Sequence, residues 1–314
     1  MPDVTCMGIV VADIIVRPVD AWPQRGRLAL EESIVLRSGG LAHTTGIVLA
    51  KLGVDTAVVA RVGSDLFGDF LVQILADHGV RPHVVREPRV PTSTSVVAVS
   101  SGGERSFMHM IGANGRLIPQ DIPDDLLRAT RIFHLGGCFV LPALDGEPAA
   151  GLLRRAQEQG CRTSMDLAWD PSGRWMSVLE PCLPHLDFLF GNQDELGHVT
   201  GRRDPAEMAG MLRERGVAAV AVKLGDAGAF VDAAGWHGRV PAYAVEVVDT
   251  TGAGDAFCGG FLAAVLAGWE MERATRFANA VGALCVTAVG GTAGVRSREE
   301  TLRFMESGAI RSRA

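Results

Sequence analysis

The residues with the clearest chemical content lie late in the chain, in V-V-D-T-T-G-A-G-D-A-F-C-G-G-F-L-A-A-V-L-A-G, residues 247 to 268. A β-branched run reads as a short strand, Gly252 and Gly254 make a turn, and a helix should follow, because Phe257, Phe261, Leu262, Val265 and Leu266 recur at helical spacing. A glycine turn feeding a helix N-terminus points free N–H groups outward and adds the positive end of the helix dipole, which suits an anion. Asp255 sits in that first turn. A carboxylate there is costly unless it has a task. Hydrogen bonds from the helix N-terminus should hold it ionised near neutral pH, ready to accept a proton from a hydroxyl while the N–H groups stabilise a transferring phosphoryl group. A plain helix cap is the alternative reading, since Asp and Gly both favour such turns.

Composition removes several function classes. At 314 residues the chain has ample length for a buried core, and 47% hydrophobic with 21% charged residues is ordinary globular composition, so disorder is not indicated. The net charge of −6 comes with no long basic block, which argues against nucleic acid or an anionic membrane as the main partner. Cys6, Cys138, Cys161, Cys182, Cys258 and Cys285 are scattered with no C-x-x-C pair, as expected of reduced thiols in a cytoplasmic protein. Asp3 replaces the basic start of a signal peptide, and no run of about 20 apolar residues suggests a membrane span.

The elements that must position Asp255 alternate along the chain as strand, glycine, helix and strand, the signature of a mostly parallel sheet covered by helices. The opening run V-T-C-M-G-I-V-V-A-D-I-I-V reads as one buried strand interrupted by Asp13. Gly39-Gly40 precede a helix ending at Gly53, with His43 on it as a helix-face residue without a role. Residues 83 to 112 break the rhythm. There T-S-T-S-V-V-A-V and E-R-S-F-M-H-M-I flank a serine-glycine turn as a hairpin, which with residues 14 to 38 would build a small separate sheet. Later, Asp166 ends a strand and could face the cleft, Asn192 and Glu195 form N-x-x-E, and Gly225 and Gly228 join Lys223 in a strand-turn-strand. N-x-x-E is also an ordinary capping pattern, and Lys223 could equally be solvated.

D-T-T-G-A-G-D-A-F resembles the C-terminal signature of the ribokinase-like (PfkB) family of carbohydrate and nucleoside kinases, and the likeness runs through nearly the whole chain. A dinucleotide-binding reading fits poorly, because the third glycine is misplaced and Asp255 would face a pyrophosphate. No G-x-x-x-x-G-K-[ST] is present, which excludes a P-loop. The resemblance implies a three-layer α/β fold as one domain over residues 1–314, with a small β-sheet lid from about 14–38 and 88–112. It implies an ATP-dependent kinase acting on a hydroxymethyl group of a sugar or sugar-like substrate.

The same resemblance implies roles residue by residue. Asp255 would be the general base, with Gly252, Ala253 and Gly254 forming the anion hole. Asp13, Gly39, Gly40 and Thr44 would bind the acceptor, Thr44 standing where the family usually has a sugar-binding asparagine. Asn192, Lys223, Gly225, Gly228 and Asn279 would line the nucleotide, and Glu195 would place Mg2+ through water. A monovalent cation, with K+ the candidate, would sit near Asp249, Thr251 and the loop 285–294, although Gly294 replaces the serine that often completes that site. Val11, Thr44 and Gly137 differ from the ribose-binding pattern, which disfavours ribose and leaves hexose, ketose, sugar acid and nucleoside open. A nucleoside kinase, a non-catalytic sugar-binding protein and a nucleotide-binding oxidoreductase are the alternatives. Pairing of open lid faces would make a homodimer.

Overall fold

Aliphatic and β-branched runs separated by amphipathic segments give, in the computed structural model describing residues 2–310, a large sheet covered on both faces by helices and a second, smaller sheet beside it. The strands are β1 (Val4–Gly8), β2 (Val11–Arg17), β3 (Ser33–Gly39), β4 (Thr56–Gly63), β5 (Arg81–Glu87), β6 (Thr94–Val99), β7 (Arg105–Met110), β8 (Ile132–Cys138), β9 (Arg162–Leu167), β10 (Phe188–Asn192), β11 (Ala219–Lys223), β12 (Ala229–Ala233) and β13 (Trp236–Val240). The helices are α1 (Leu41–Lys51), α2 (Leu66–Asp77), α3 (Asp124–Arg128), α4 (Glu147–Glu158), α5 (Met176–Leu179), α6 (Gln193–Thr200), α7 (Pro205–Glu214), α8 (Ala253–Leu266), α9 (Met271–Cys285) and α10 (Arg298–Ser307).

The large sheet runs β13-β12-β11-β10-β9-β8-β1-β4-β5 and is parallel from β11 to β5, with β12 and β13 antiparallel at one edge. Strand side chains alternate between two cores. Val4, Cys6, Phe188 and Phe190 meet Ile47, Leu71, Phe261 and Phe277 on one face. Met7, Leu135, Met165 and Leu189 meet Leu153 and Leu212 on the other. Both faces are buried, so these strands read as continuous apolar runs rather than as alternation. The six cysteines are free and buried, and no helix among the described residues is long and apolar enough to cross a membrane.

The small sheet runs β3-β2-β6-β7, mixed in direction, with β2 and β6 parallel at its centre. The expected single opening strand is two. The side-chain amide of Asn114 grips the backbone of Val10, accepting from its N–H at 3.2 Å and donating to its carbonyl at 3.0 Å, which ends the β1 ladder and sends the chain into the lid. Asp13 therefore lies inside a lid strand, opposite Arg37 and Ser95, and not at the edge of the main sheet. Two further expectations are corrected. Residues 81–87 are the edge strand β5, paired with β4, and the β-branched run before Asp249 forms no strand. That run lacks a neighbouring ladder; its backbone is held instead where Val248 and Asp249 N–H both donate to the Val286 carbonyl, at 2.8 and 3.2 Å. His43 of α1 is fully buried: it contacts the Leu71 carbonyl through Nε2 at 3.3 Å, and burial lowers its pKa to about 4.

Phe261 anchors α8 by edge contacts with Phe188 and Phe190 at centroid distances of 5.7 and 5.3 Å. Phe261→Ala should destabilise the fold by about 3–5 kcal/mol, read as a lower urea midpoint with an unchanged slope.

Candidate active site

Helix α8 starts at Gly252, whose φ of 73° lies in the left-handed region and whose added Cβ would stand 2.5 Å from the Gly291 carbonyl oxygen. Only glycine makes this turn without strain and without pushing the 290–294 loop away. No side chain caps the helix. The N–H of Ala253 reaches the Thr250 carbonyl at a long 3.4 Å, and those of Gly254 and Asp255 make no hydrogen bond among the described residues. These are orphan donors at the positive end of a 14-residue helix, as an anion hole requires.

Asp255 keeps some exposed surface, but its carboxyl group is enclosed, and four other elements surround it. The Thr44 hydroxyl of α1 hydrogen-bonds it, while Asp166 of β9, Glu195 of α6 and Lys223 of β11 act on it through charge. Removal from water raises its pKa, Asp166 raises it further, and Lys223 and Thr44 hold it back, leaving it at about 8. This corrects the expectation of an ionised carboxylate at neutral pH. Desolvation and the nearby carboxylates outweigh the helix terminus.

Lys223 is not solvated. Its Nζ donates to Asp166 Oδ1 at 2.7 Å, and the Cys258 thiol donates to Asp166 Oδ2 at 3.3 Å. Burial works against the lysine charge, but the Asp166 and Glu195 carboxylates more than offset it, so its pKa is raised and it stays protonated. A Cβ at Gly254 would come within 3.2 Å of this Nζ, so the second glycine of the turn is what lets the ammonium approach the anion hole.

Two cavities reach this turn. The first, about 240 Å3, is lined by Lys223, Gly225, Gly228, Asn279, Ala253 and Gly254 among others. Asn279 is buried and spends its Nδ2 on the Val240 and Pro241 carbonyls at 3.0 and 3.1 Å, so it shapes the wall. The second, about 710 Å3, lies under the lid sheet and is lined by Asp13, Arg37, Arg105, Asp249 and Thr251 among others. Burial raises the Asp13 carboxyl to about 6 against a hydrogen bond from Ser95, and Gly39 leaves room for it, since a Cβ there would stand 2.1 Å from Asp13 Oδ2. Gly40 begins α1. Thr44 is buried and serves Asp255 rather than lining the lid cavity.

Asn192 and Glu195 form a reciprocal capping box, each side chain accepting from the other's N–H at 2.8 Å. That uses Glu195 Oε2, while Oε1 makes no hydrogen bond among the described residues. No cluster of three metal-ligating side chains occurs among the described residues, so a magnesium ion would depend on nucleotide oxygens and water, with Glu195 as an outer partner. The donors expected to hold a monovalent cation do not fit one. Asp249 is engaged by the Arg105 guanidinium, by Thr251 N and Oγ1 at 2.9 and 2.7 Å, and by Gly290 N at 2.9 Å. The Cys285 thiol faces the Thr251 and Gly291 carbonyls at 3.6 and 3.2 Å. Arg105 is the residue sequence reading missed, because only the hairpin, and not its reach to a turn 144 residues away, shows locally.

The sequence matches the pfkB family carbohydrate kinase profile over residues 1–298. Fructokinase-1 of Oryza sativa subsp. japonica is 32% identical over 311 residues, covering 92% of this chain and 95% of the relative. The structure of Arabidopsis thaliana ribokinase complexed with ribose and ATP superposes with a TM-score of 0.83 at 26% identity, over 97% of this chain and 99% of that one. An E. coli protein of the ribokinase II type in complex with ATP and Mg2+ gives 0.85 at 25% identity, over 98% and 99%. An α/β fold with a lid sheet, an uncapped helix start beside a carboxylate, and a profile match across 298 residues agree: this chain belongs to the pfkB family of carbohydrate kinases.

Proposed function

We propose that the enzyme moves the γ-phosphoryl group of ATP to a hydroxymethyl group of a sugar held under the lid, with Asp255 as the general base. The observation that carries this is a carboxylate placed at orphan N–H donors on a turn that both cavities reach. ATP would occupy the cavity lined by Gly225, Gly228 and Asn279, its phosphates directed toward Gly254 and Lys223. The sugar would lie in the lid cavity with Asp13 accepting from its hydroxyls. Asp255 takes the hydroxyl proton, the N–H groups of Ala253, Gly254 and Asp255 hold the charge that develops on the phosphoryl oxygens, and Lys223 adds a fixed positive charge beside them. Glu195 would hold magnesium through water, and the ion would supply positive charge that offsets the charge on the nucleotide phosphates. The lid excludes the water that would otherwise take the phosphoryl group.

The relatives' names point to fructose or ribose as acceptor, and the departures from the ribose-binding pattern at Val11, Thr44 and Gly137 favour the ketose. We infer a homodimer formed through the lid, since Ile34, Met108 and Met110 are 67%, 52% and 43% exposed on one sheet. The buried free thiols support a cytoplasmic location.

ADP release from Mg·ATP should be stimulated by one class in a panel of ketoses, pentoses, sugar acids and nucleosides, and Asp255→Asn should lower turnover by at least ~10². Near-normal turnover in the folded variant would remove the base. A pH profile gives a second test. Only deprotonated Asp255 can accept the proton, so kcat/KM should rise about tenfold per unit up to its free-enzyme pKa of about 8 and then level. A single monomer-mass species in light scattering would count against the dimer.

A further inference from the structure

Arg105 is on lid strand β7, yet its guanidinium reaches out of the lid sheet to the turn that forms the anion hole. One side of the fork donates to Thr251 Oγ1 at 2.5 Å and the other to the Asp249 carboxylate. Thr251 immediately precedes Gly252, so this is a charged contact between the lid and the first residues of the catalytic turn. Both partners are largely sequestered, their side chains 26% and 11% exposed. Burial alone would raise the Asp249 carboxyl; hydrogen bonds from Thr251 and Gly290, together with the Arg105 charge, hold it below the ordinary value, so the pair is ionic.

A cation in the place of this guanidinium would meet a filled site. The Asp249 oxygens are taken, Cys285 Sγ stands against the Thr251 and Gly291 carbonyls, and position 294 has no room for a ligating side chain. A Cβ on Gly294 would lie 2.1 Å from the Leu284 carbonyl oxygen and 2.6 Å from that of Cys285.

We propose that Arg105 is a positioning residue that carries from the lid the positive charge behind the anion hole, so that this kinase works without a monovalent cation and its anion hole is completed when the lid is docked. The inference rests on the kinase reading of the same site. A guanidinium suits the task because it stays charged at every working pH and its planar fork holds carboxylate and hydroxyl together. Its charge does not leave with the solvent ions, and its position depends on β7.

The test compares wild type, Arg105→Lys and Arg105→Met in KCl and in tetramethylammonium chloride of equal ionic strength, reading melting temperature and steady-state kinetics. Wild-type melting temperature and turnover should be the same in both salts. Arg105→Met should lose about 10- to 100-fold in kcat with a far smaller change in the KM for ATP, and part of that loss should return on adding guanidinium ion but not in KCl, because the partners that remain suit a planar hydrogen-bond donor and not a metal cation. Arg105→Lys should keep more turnover than Arg105→Met, which a purely structural latch would not require. Stabilisation or activation of the wild type by K+ over tetramethylammonium would overturn the proposal, as would an unchanged kcat in folded Arg105→Met. If no acceptor supports turnover in either salt, the kinase reading fails, while the wild-type melting comparison still decides whether the site takes a cation. If Arg105→Met does not fold, Arg105→Lys and the wild-type comparison remain decisive.

Discussion

The Asp166–Lys223 ion pair is the constraint on which the rest of the site depends. Two charges taken from water are held 2.7 Å apart on neighbouring parts of one sheet, and the Cys258 thiol of α8 satisfies the remaining carboxylate oxygen. Removing either partner leaves an uncompensated buried charge, which is typically more costly than the pair is stabilising. The pair fixes an ammonium against the Gly254 turn and at the same time adjusts the ionisation of Asp255, whose carboxyl is raised first by desolvation, then further by Asp166, and held back by Lys223. One contact thus governs both charge stabilisation and proton acceptance.

That contact can exist only because the parallel sheet brings the C-terminal ends of β9 and β11 to either side of β10, and because α8 packs its small, apolar face against the same core. Phe190, Phe257 and Phe261 lock the helix, so the first turn cannot drift from the strands below it. The lid is attached differently. It leaves the core at Val10 and reaches back to the turn through Arg105. A rigid floor and a docked roof divide the work: the floor tunes the base, and the roof decides when the acceptor is shut in.

Much of this was legible in the sequence where chemistry is local. The stretch D-T-T-G-A-G-D carries its own turn and helix start, so the uncapped terminus and Asp255 could be read directly. The capping box of Asn192 and Glu195 and the glycine turn at Gly225 and Gly228 were visible for the same reason. What required the fold were contacts between distant residues. Asp166 and Lys223 were each conspicuous, but nothing in the sequence pairs residues 57 apart. The ionisation of Asp255 was misread because the helix terminus is local, whereas the carboxylates opposing it come from β9 and α6. Asp13 was assigned to the wrong sheet because Asn114, which breaks β1 at Val10, lies 104 residues away.

The account turns on a base whose proton is held by burial and by Asp166 against the pull of Lys223. Its most direct test is a 13C NMR titration of aspartate-labelled enzyme, with Asp255 assigned by loss of its resonance in Asp255→Asn. The account predicts a carboxyl titrating near 8. A resonance titrating in the ordinary aspartate range, about 4, would show that the buried charges do not set the base, and would contradict it.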